Sequence, residues 1–167
     1  MNRAAELEHF VADTGANVCL AGQELAGFIA PLLETTDLNH IVVASYSSYI
    51  APDTDLALPA EVAAPAWSED LAGMVSWEQA LAEGHAPSAH TAGPADLSVI
   101  PYSSGTTGAP KGCMHTHRSV MATAVHRAFW NLSTASTVQL ATLPFFHVTG
   151  MTGSMNSPIY SGSTTVI

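Results

Sequence analysis

The chain has 167 residues, 11% of them charged, and a formal net charge of −10 at neutral pH. That length suits one domain able to bury a sizeable core. The acidic balance excludes a nucleic-acid surface, since no basic stripe with interleaved aromatics occurs, and the longest apolar runs fall short of the ~18 residues a membrane span needs.

In chain order, Asn2 is placed to cap a helix over Arg3–Thr14, with Leu7, Phe10 and Val11 on one face and Gly15 as its stop. Ala16–Ala21 reads as a buried strand. Gln23–Thr35 carries Leu25, Phe28, Ile29, Leu32 and Leu33 at helical spacing, with Pro31 set to kink or shorten it. His40–Ser45 is the second strand, and strand–helix–strand order predicts a parallel sheet with crossover helices. Residues 46–66 hold prolines and acids without periodicity and read as an exposed excursion. Ser76-Trp77-Glu78-Gln79 is a capping box opening a short helix to Glu83, with Gly84 behind it. Residues 86–94 form a linker rich in Pro, Ser, Ala and Gly. Asp96–Pro101 and Gly112–Thr116 are short strands, and a helix from His117 to Asn131 lays Val120, Ala124 and Ala128 along one side. Thr137–Leu143 is another strand, Pro144–His147 a turn, Gly150–Tyr160 a helix of small residues, and Gly162–Ile167 begins a strand.

Charge is unevenly placed. All fourteen acids lie between Glu6 and Asp96, and no Asp, Glu, Lys or Arg occurs from Ala128 to Ile167. An independent domain needs surface charge for solubility, so this stretch reads as the interior of something larger. Met1-Asn2-Arg3 runs straight into Glu6 and Glu8, without the pattern of a secretory leader. Two cysteines far apart, Cys19 and Cys113, fit a reducing cytoplasm better than a disulfide framework.

The densest chemistry is Tyr102-Ser103-Ser104-Gly105-Thr106-Thr107-Gly108-Ala109-Pro110-Lys111-Gly112. Glycines let backbone N–H groups turn towards a ligand, hydroxyls donate further hydrogen bonds and the lysine supplies charge, a set that suits a phosphate chain. It is not a Walker loop, because no Ser or Thr follows the lysine and the loop feeds a strand rather than a helix. A flexible Gly/Ser/Thr linker would not need the ordered Pro-Lys-Gly ending between two apolar runs. Cys113, His115 and His117 alternate and would share one face of a continuous strand, which raises a metal site. The alternative is that Cys113 and His115 pack while Thr116 or His117 caps the next helix. His126 reads as a packing or solvated residue. His147 follows Leu143-Pro144-Phe145-Phe146 at a strand end, where parallel-sheet proteins place ligand contacts. A neutral imidazole there would orient a carboxylate, and a buried structural histidine is the alternative.

Tyr102–Gly112 closely resembles the signature loop of the adenylate-forming (AMP-binding) superfamily, which includes acyl-CoA synthetases, luciferases and the adenylation domains of peptide synthetases. Leu143–Gly150 resembles the family's next motif, and Glu6–Ala16 resembles its stretch in which a helix leads into a strand. The resemblance therefore covers essentially the whole chain. Gly112–Ser119 and Phe145-Phe146-His147 are most similar to long- and medium-chain fatty acyl-CoA synthetases.

The resemblance implies an α/β fold: part of the large N-terminal domain of an acyl-CoA synthetase, with mostly parallel sheet segments and crossover helices. Residues 1–95 would be a first α/β part, residues 96–167 the phosphate-loop part, and the small C-terminal domain would be absent. The implied activity is ATP-dependent activation of a carboxylic, fatty acid to acyl-AMP and then acyl-CoA, with ATP, Mg²⁺ and CoA as cofactors. Ser103, Ser104, Gly105, Thr106, Thr107, Gly108 and Lys111 would hold the β- and γ-phosphates. Ser103 would place a hydroxyl near the metal, and His147 would stand beside the acyl carboxylate. The apolar residues of Phe145–Met155 would line part of the acyl pocket. The family's later motifs, for adenine, a metal-binding glutamate and a ribose-binding aspartate, and its C-terminal lysine lie outside these residues. The chain is therefore expected to be an N-terminal fragment, inactive alone and self-associating through exposed core surface. An aryl-CoA ligase or a peptide-synthetase adenylation domain are the alternatives within the class. A non-catalytic nucleotide- or partner-binding module is the alternative outside it.

Overall fold

A computed structural model describes residues 4–68, 71–103 and 110–167. The chain divides after Ser88 into two compact units, each with its own secondary structure.

In the first unit, helix α1 (Ala4–Thr14) stops at Gly15, whose φ of +64° lies in the left-handed region that glycine occupies without strain. Strand β1 (Val18–Gly22) leads through a 3₁₀ turn at Gln23–Leu25 into two one-turn helices, α2 (Ala26–Ile29) and α3 (Leu32–Thr35). The single helix expected over Gln23–Thr35 is thus divided at Pro31, which has no N–H to give the helical ladder. Strand β2 (His40–Ala44) pairs in parallel with β1, Val18 opposite His40, and with β3 (Met74–Ser76), Ile41 opposite Met74. The parallel crossover was legible in the sequence. The third strand was not, because Met74-Val75-Ser76 is too short to show a period.

The central strand carries the core. Ile41 and Val43 are fully buried against Ala21, Ala26, Ile29, Leu32 and Leu38, with Leu7 and Val11 of α1 packed around them. Burying side chains of this size is worth roughly 1.5–3 kcal/mol each. On the other face of β1, Val18 and Leu20 are exposed. Helix α5 (Trp77–Ala82) follows β3 directly, and the Ser76 hydroxyl accepts the Gln79 N–H at 3.1 Å as the capping box predicts.

Residues 46–66 are more ordered than the expected irregular excursion. They hold a 3₁₀ turn at Tyr46–Tyr49 and helix α4 (Ala60–Ala63). Buried Ser45 closes the segment by accepting the Trp67 N–H at 2.9 Å, and Gln23 Nε2 donates to the Pro65 carbonyl at 3.1 Å. Tyr46 donates its hydroxyl to Glu24 at 3.2 Å. Partial burial, then the charge and hydrogen bond of Glu24, push the Tyr46 phenol above its usual pKa.

In the second unit, β4 (Leu97–Val99) pairs antiparallel with β7 (His115–Thr116), and β5 (Tyr102–Ser103) with β6 (Lys111–Gly112). The continuous strand expected over Gly112–Thr116 is therefore two short strands with different partners. Helix α6 (His117–Trp130) is capped by Thr116, whose hydroxyl accepts the Ser119 N–H at 3.3 Å, and it buries Ala124 and Ala128. Strand β8 (Val138–Leu140) pairs in parallel with β9 (Thr164–Val166). The expected strand to Leu143 is shorter because its ladder ends with β9: the Ala141 N–H takes the Val166 carbonyl at 2.8 Å.

Between these strands the chain is helical in three consecutive modes: α7 (Val148–Gly150), a wide π-helical segment over Met151–Asn156, and α8 (Ser157–Ser161). Gly162 ends it at φ +71°. Two strand side chains reach the carbonyls of the wide segment. Gln139 Nε2 donates to the Gly153 carbonyl at 3.0 Å, and the Thr165 hydroxyl to the Ser154 carbonyl at 3.1 Å. Among the described residues no helix is long and apolar enough to cross a membrane.

Candidate active site

The hydroxyl-rich loop springs from a two-rung hairpin. Ser103 faces Lys111 directly, Tyr102 faces Gly112, and the Ser103 hydroxyl donates to the Lys111 carbonyl at 3.5 Å. Residues directly opposite one another on antiparallel strands project to the same face. The register thus sets one hydroxyl and one cation side by side at the mouth of the loop, both exposed. Ser104, Gly105, Thr106, Thr107 and Gly108 lie outside the described residues.

Gly112 is fixed by space rather than by φ. A Cβ there would stand 2.6 Å from Ile100 Cγ2 and 3.1 Å from Tyr102 Cζ, so only glycine lets Tyr102 lie across the rung that closes the hairpin.

His147 ends a tight turn, its N–H bonded to the Pro144 carbonyl at 3.1 Å, and it caps the first turn of α7. Its Nδ1 accepts the Thr149 N–H at 3.2 Å. A ring nitrogen that accepts carries no proton, so the neutral imidazole keeps its proton on Nε2. The ring is exposed, which leaves Nε2–H available to donate to an anionic oxygen. The imidazole stands exposed in this structure rather than buried. The turn is locked from behind by Gly150, where a Cβ would strike the Pro144 carbonyl and stand 2.7 Å from that of Leu143.

Cys113, His115 and His117 do not line one strand face. Cys113 is an exposed residue between β6 and β7, His115 lies on β7 and His117 opens α6. The alternation argument needed one continuous strand, and the change of pairing partner interrupts it. Among the described residues no three His, Cys, Asp or Glu side chains gather as metal ligands. Packing of Cys113 is also corrected, since its thiol is exposed. Cys19 is half-buried, and burial raises its thiol pKa above the ordinary value of 9.0.

A small cavity of about 140 Å³ lies beside the His147 turn, lined by His115, Val120, Thr123, Val148, Thr149, Met151 and Thr152. Sequence reasoning expected apolar lining over Phe145–Met155. Val148 and Met151 of that range line this cavity, four of its seven lining side chains are polar, and Phe146 is 88% exposed. His115, raised above as a metal ligand or a packing residue, and Thr123, which no motif singled out, line the cavity because β7 and α6 meet the helical segment.

The sequence matches the AMP-binding enzyme family over residues 1–167. The chain belongs to that family. It is 30% identical over 169 aligned residues to the human mitochondrial malonate–CoA ligase ACSF3, an alignment covering 98% of this chain and 24% of the relative. It is 42% identical over 69 residues to a long-chain-fatty-acid–CoA ligase of Bacillus subtilis, covering 40% of this chain and 12% of the relative. The fold is that of the adenylate-forming ligases. An anthranilate CoA ligase, AuaEII, solved with anthranoyl-AMP, superposes with a TM-score of 0.74 at 23% identity over 100% of this chain and 29% of its own. Apo MbtA of Mycobacterium smegmatis superposes with a TM-score of 0.76 at 25% identity over 99% of this chain and 27% of its own. The chain therefore spans about a quarter of the length of these AMP-binding enzymes, or less.

Proposed function

We propose that this chain supplies the phosphate grip and the carboxylate donor of an AMP-forming acid–CoA ligase. The observation that carries the reading is the hairpin register placing Ser103 beside Lys111 at the mouth of the hydroxyl loop. The activity has two steps. An acid carboxylate oxygen attacks the α-phosphorus of ATP, forming a P–O bond and expelling pyrophosphate. The CoA thiolate then attacks the acyl carbon and expels AMP.

Lys111 neutralises charge on the terminal phosphates, while Ser103, Ser104, Thr106, Thr107 and the backbone of Gly105 and Gly108 orient them for in-line departure. Positioning and charge neutralisation of this kind supply most of the acceleration in phosphoryl and nucleotidyl chemistry. The Ser103 hydroxyl is a hard oxygen donor and suits Mg²⁺, which would neutralise phosphate charge when bound. His147 donates Nε2–H to the acid and holds its carboxylate in the attacking orientation. These 167 residues alone should not turn over, since they span only about a quarter of the ligases they resemble.

The test compares the 167-residue chain with the product of the complete reading frame. The longer protein should release pyrophosphate from ATP when acid is supplied, and Lys111→Ala should lower kcat/KM about 10²-fold through the ATP term. The chain alone should show no acid-dependent pyrophosphate exchange. Exchange by the chain alone would refute the inactivity, and a Lys111→Ala variant with unchanged ATP dependence would refute the role of the loop.

A further inference from the structure

The first unit holds a polar arrangement that neither the phosphate loop nor the His147 turn uses. Four buried side-chain atoms there have no hydrogen-bond partner among the described residues: Gln23 Oε1, Glu24 Oε2, Ser47 Oγ and Trp67 Nε1. They are spread over the sequence but belong to one place. The Gln23–Pro65, Tyr46–Glu24 and Ser45–Trp67 hydrogen bonds tie residues 23–24, 45–47 and 65–67 together. Buried polar groups are nearly always paired, with protein, water or a bound group, so four unpaired atoms in one place point to a bound partner.

Gln23, Glu24 and Trp67 line an open cavity together with Glu61, Ala64 and Pro65. Because the cavity opens to solvent, the chemistry of its wall rather than its size decides what it takes. Each unpaired atom has a fixed sense. Gln23 Nε2 is spent on the Pro65 carbonyl, which fixes Oε1 as an acceptor. Tyr46 donates to Glu24 Oε1 at 3.2 Å, which leaves Oε2 as a second acceptor. The Trp67 indole N–H can only donate. Gly22 makes room for the carboxylate, since a Cβ there would strike it. Charge points the same way: two glutamates line the cavity, and no Lys or Arg occurs between Arg3 and Lys111. A metal ion would suit the two acceptors but repel the indole N–H, and a quaternary ammonium would offer the acceptors no proton.

We propose that this cavity binds a small organic cation, a primary ammonium carrying a neutral hydroxyl or amide oxygen beside it. The ammonium donates to Gln23 Oε1 and Glu24 Oε2, and the neutral oxygen takes the Trp67 N–H. Hydrogen bonds from an ammonium to a carboxylate are charge-assisted and stronger than neutral ones. Gln23, Glu24 and Trp67 are each partly exposed, so rotation of the side chains brings their buried atoms to the ligand. Glu61 adds negative charge at the wall. The proposal goes beyond the ligase reading and does not rest on it.

The test titrates the 167-residue chain with ethanolamine while the Trp67 indole N–H signal, assigned through Trp67→Phe, is followed by NMR. The signal should move saturably. Ethylamine lacks the oxygen and choline lacks the N–H donors, and each should bind about tenfold more weakly. Glu24→Gln should lower ethanolamine affinity by a similar factor, as should Gly22→Ala, which displaces the carboxylate and keeps its charge. The amide signals of β2 and β3 should stay in place in both variants. No saturable shift with any amine would overturn the proposal and leave buried water as the partner of these atoms. Equal binding of choline would reduce the site to charge attraction, and tighter binding of calcium ions would make it a metal site; either result overturns the proposal. Unchanged ethanolamine affinity in both variants would do so as well. The product of the complete reading frame is titrated in the same way, and loss of binding there would overturn the proposal, because other parts of the protein then cover the cavity.

Discussion

At the scale of single residues, two glycines and one histidine do most to shape the site. Gly112 is needed because Ile100 and Tyr102 occupy the space a side chain would take, and Gly150 because two backbone carbonyls do. The difference matters for mutation. Side-chain neighbours can rotate away, but the carbonyls of Leu143 and Pro144 belong to the turn that delivers His147. Gly150→Ala should therefore cost about 1–3 kcal/mol, in the range of overpacked cores, measured as a lower urea midpoint at unchanged slope. The turn was legible from Pro144 and the strand before it. The need for glycine at 150 was not, because it arises from a contact seven residues back that no local pattern encodes.

At the scale of elements, pairing decided what periodicity could not. The parallel relation of β1 and β2 followed from two apolar runs separated by a helical one, and α6 followed from its cap and alanine stripe. The strands around the phosphate loop were misjudged as one because Gly112–Thr116 looks uniform in sequence, although its two halves bond to different partners. The helix after His147 was expected, but its widening was not. Its carbonyls are met by side chains from β8 and β9, and a lone Gln139 between two apolar strand residues was the available hint. Gln139→Leu removes the side-chain donor from the carbonyl of buried Gly153 and should cost about 1–3 kcal/mol locally. Amide exchange should accelerate across Met151–Asn156 while β1 and β2 keep their protection; uniform acceleration would contradict a local role.

At the scale of the whole molecule, the charge map and the burial map agree. The strands of the second unit direct Gln139 and Thr165 towards the helical segment and leave Val138, Leu140 and Val166 exposed at 67%, 65% and 46%. On β1, Val18 and Leu20 are likewise bare. Such strands read as buried on both faces, and contiguous apolar surface of this kind drives association. The isolated chain is expected to sediment above monomer mass, and Val138→Lys with Leu140→Lys to return it towards monomer. A monodisperse wild-type monomer would refute that expectation.

The wide segment at Met151–Asn156 has one more consequence, for tolerance to length change. An α-helix advances 3.6 residues per turn, so deleting one residue swings everything beyond it by about 100°. A turn closed by i→i+5 bonds already holds one residue more than an α-turn. Losing a residue there would tighten the coil to ordinary pitch and leave α8 and β9 facing as before. The same deletion in α6 would carry Ala128 off the face it shares with Ala124. Single-residue gaps are therefore expected to be survivable just after the His147 turn and damaging in the helix before it, so variation next to that turn can come by shortening as well as by substitution.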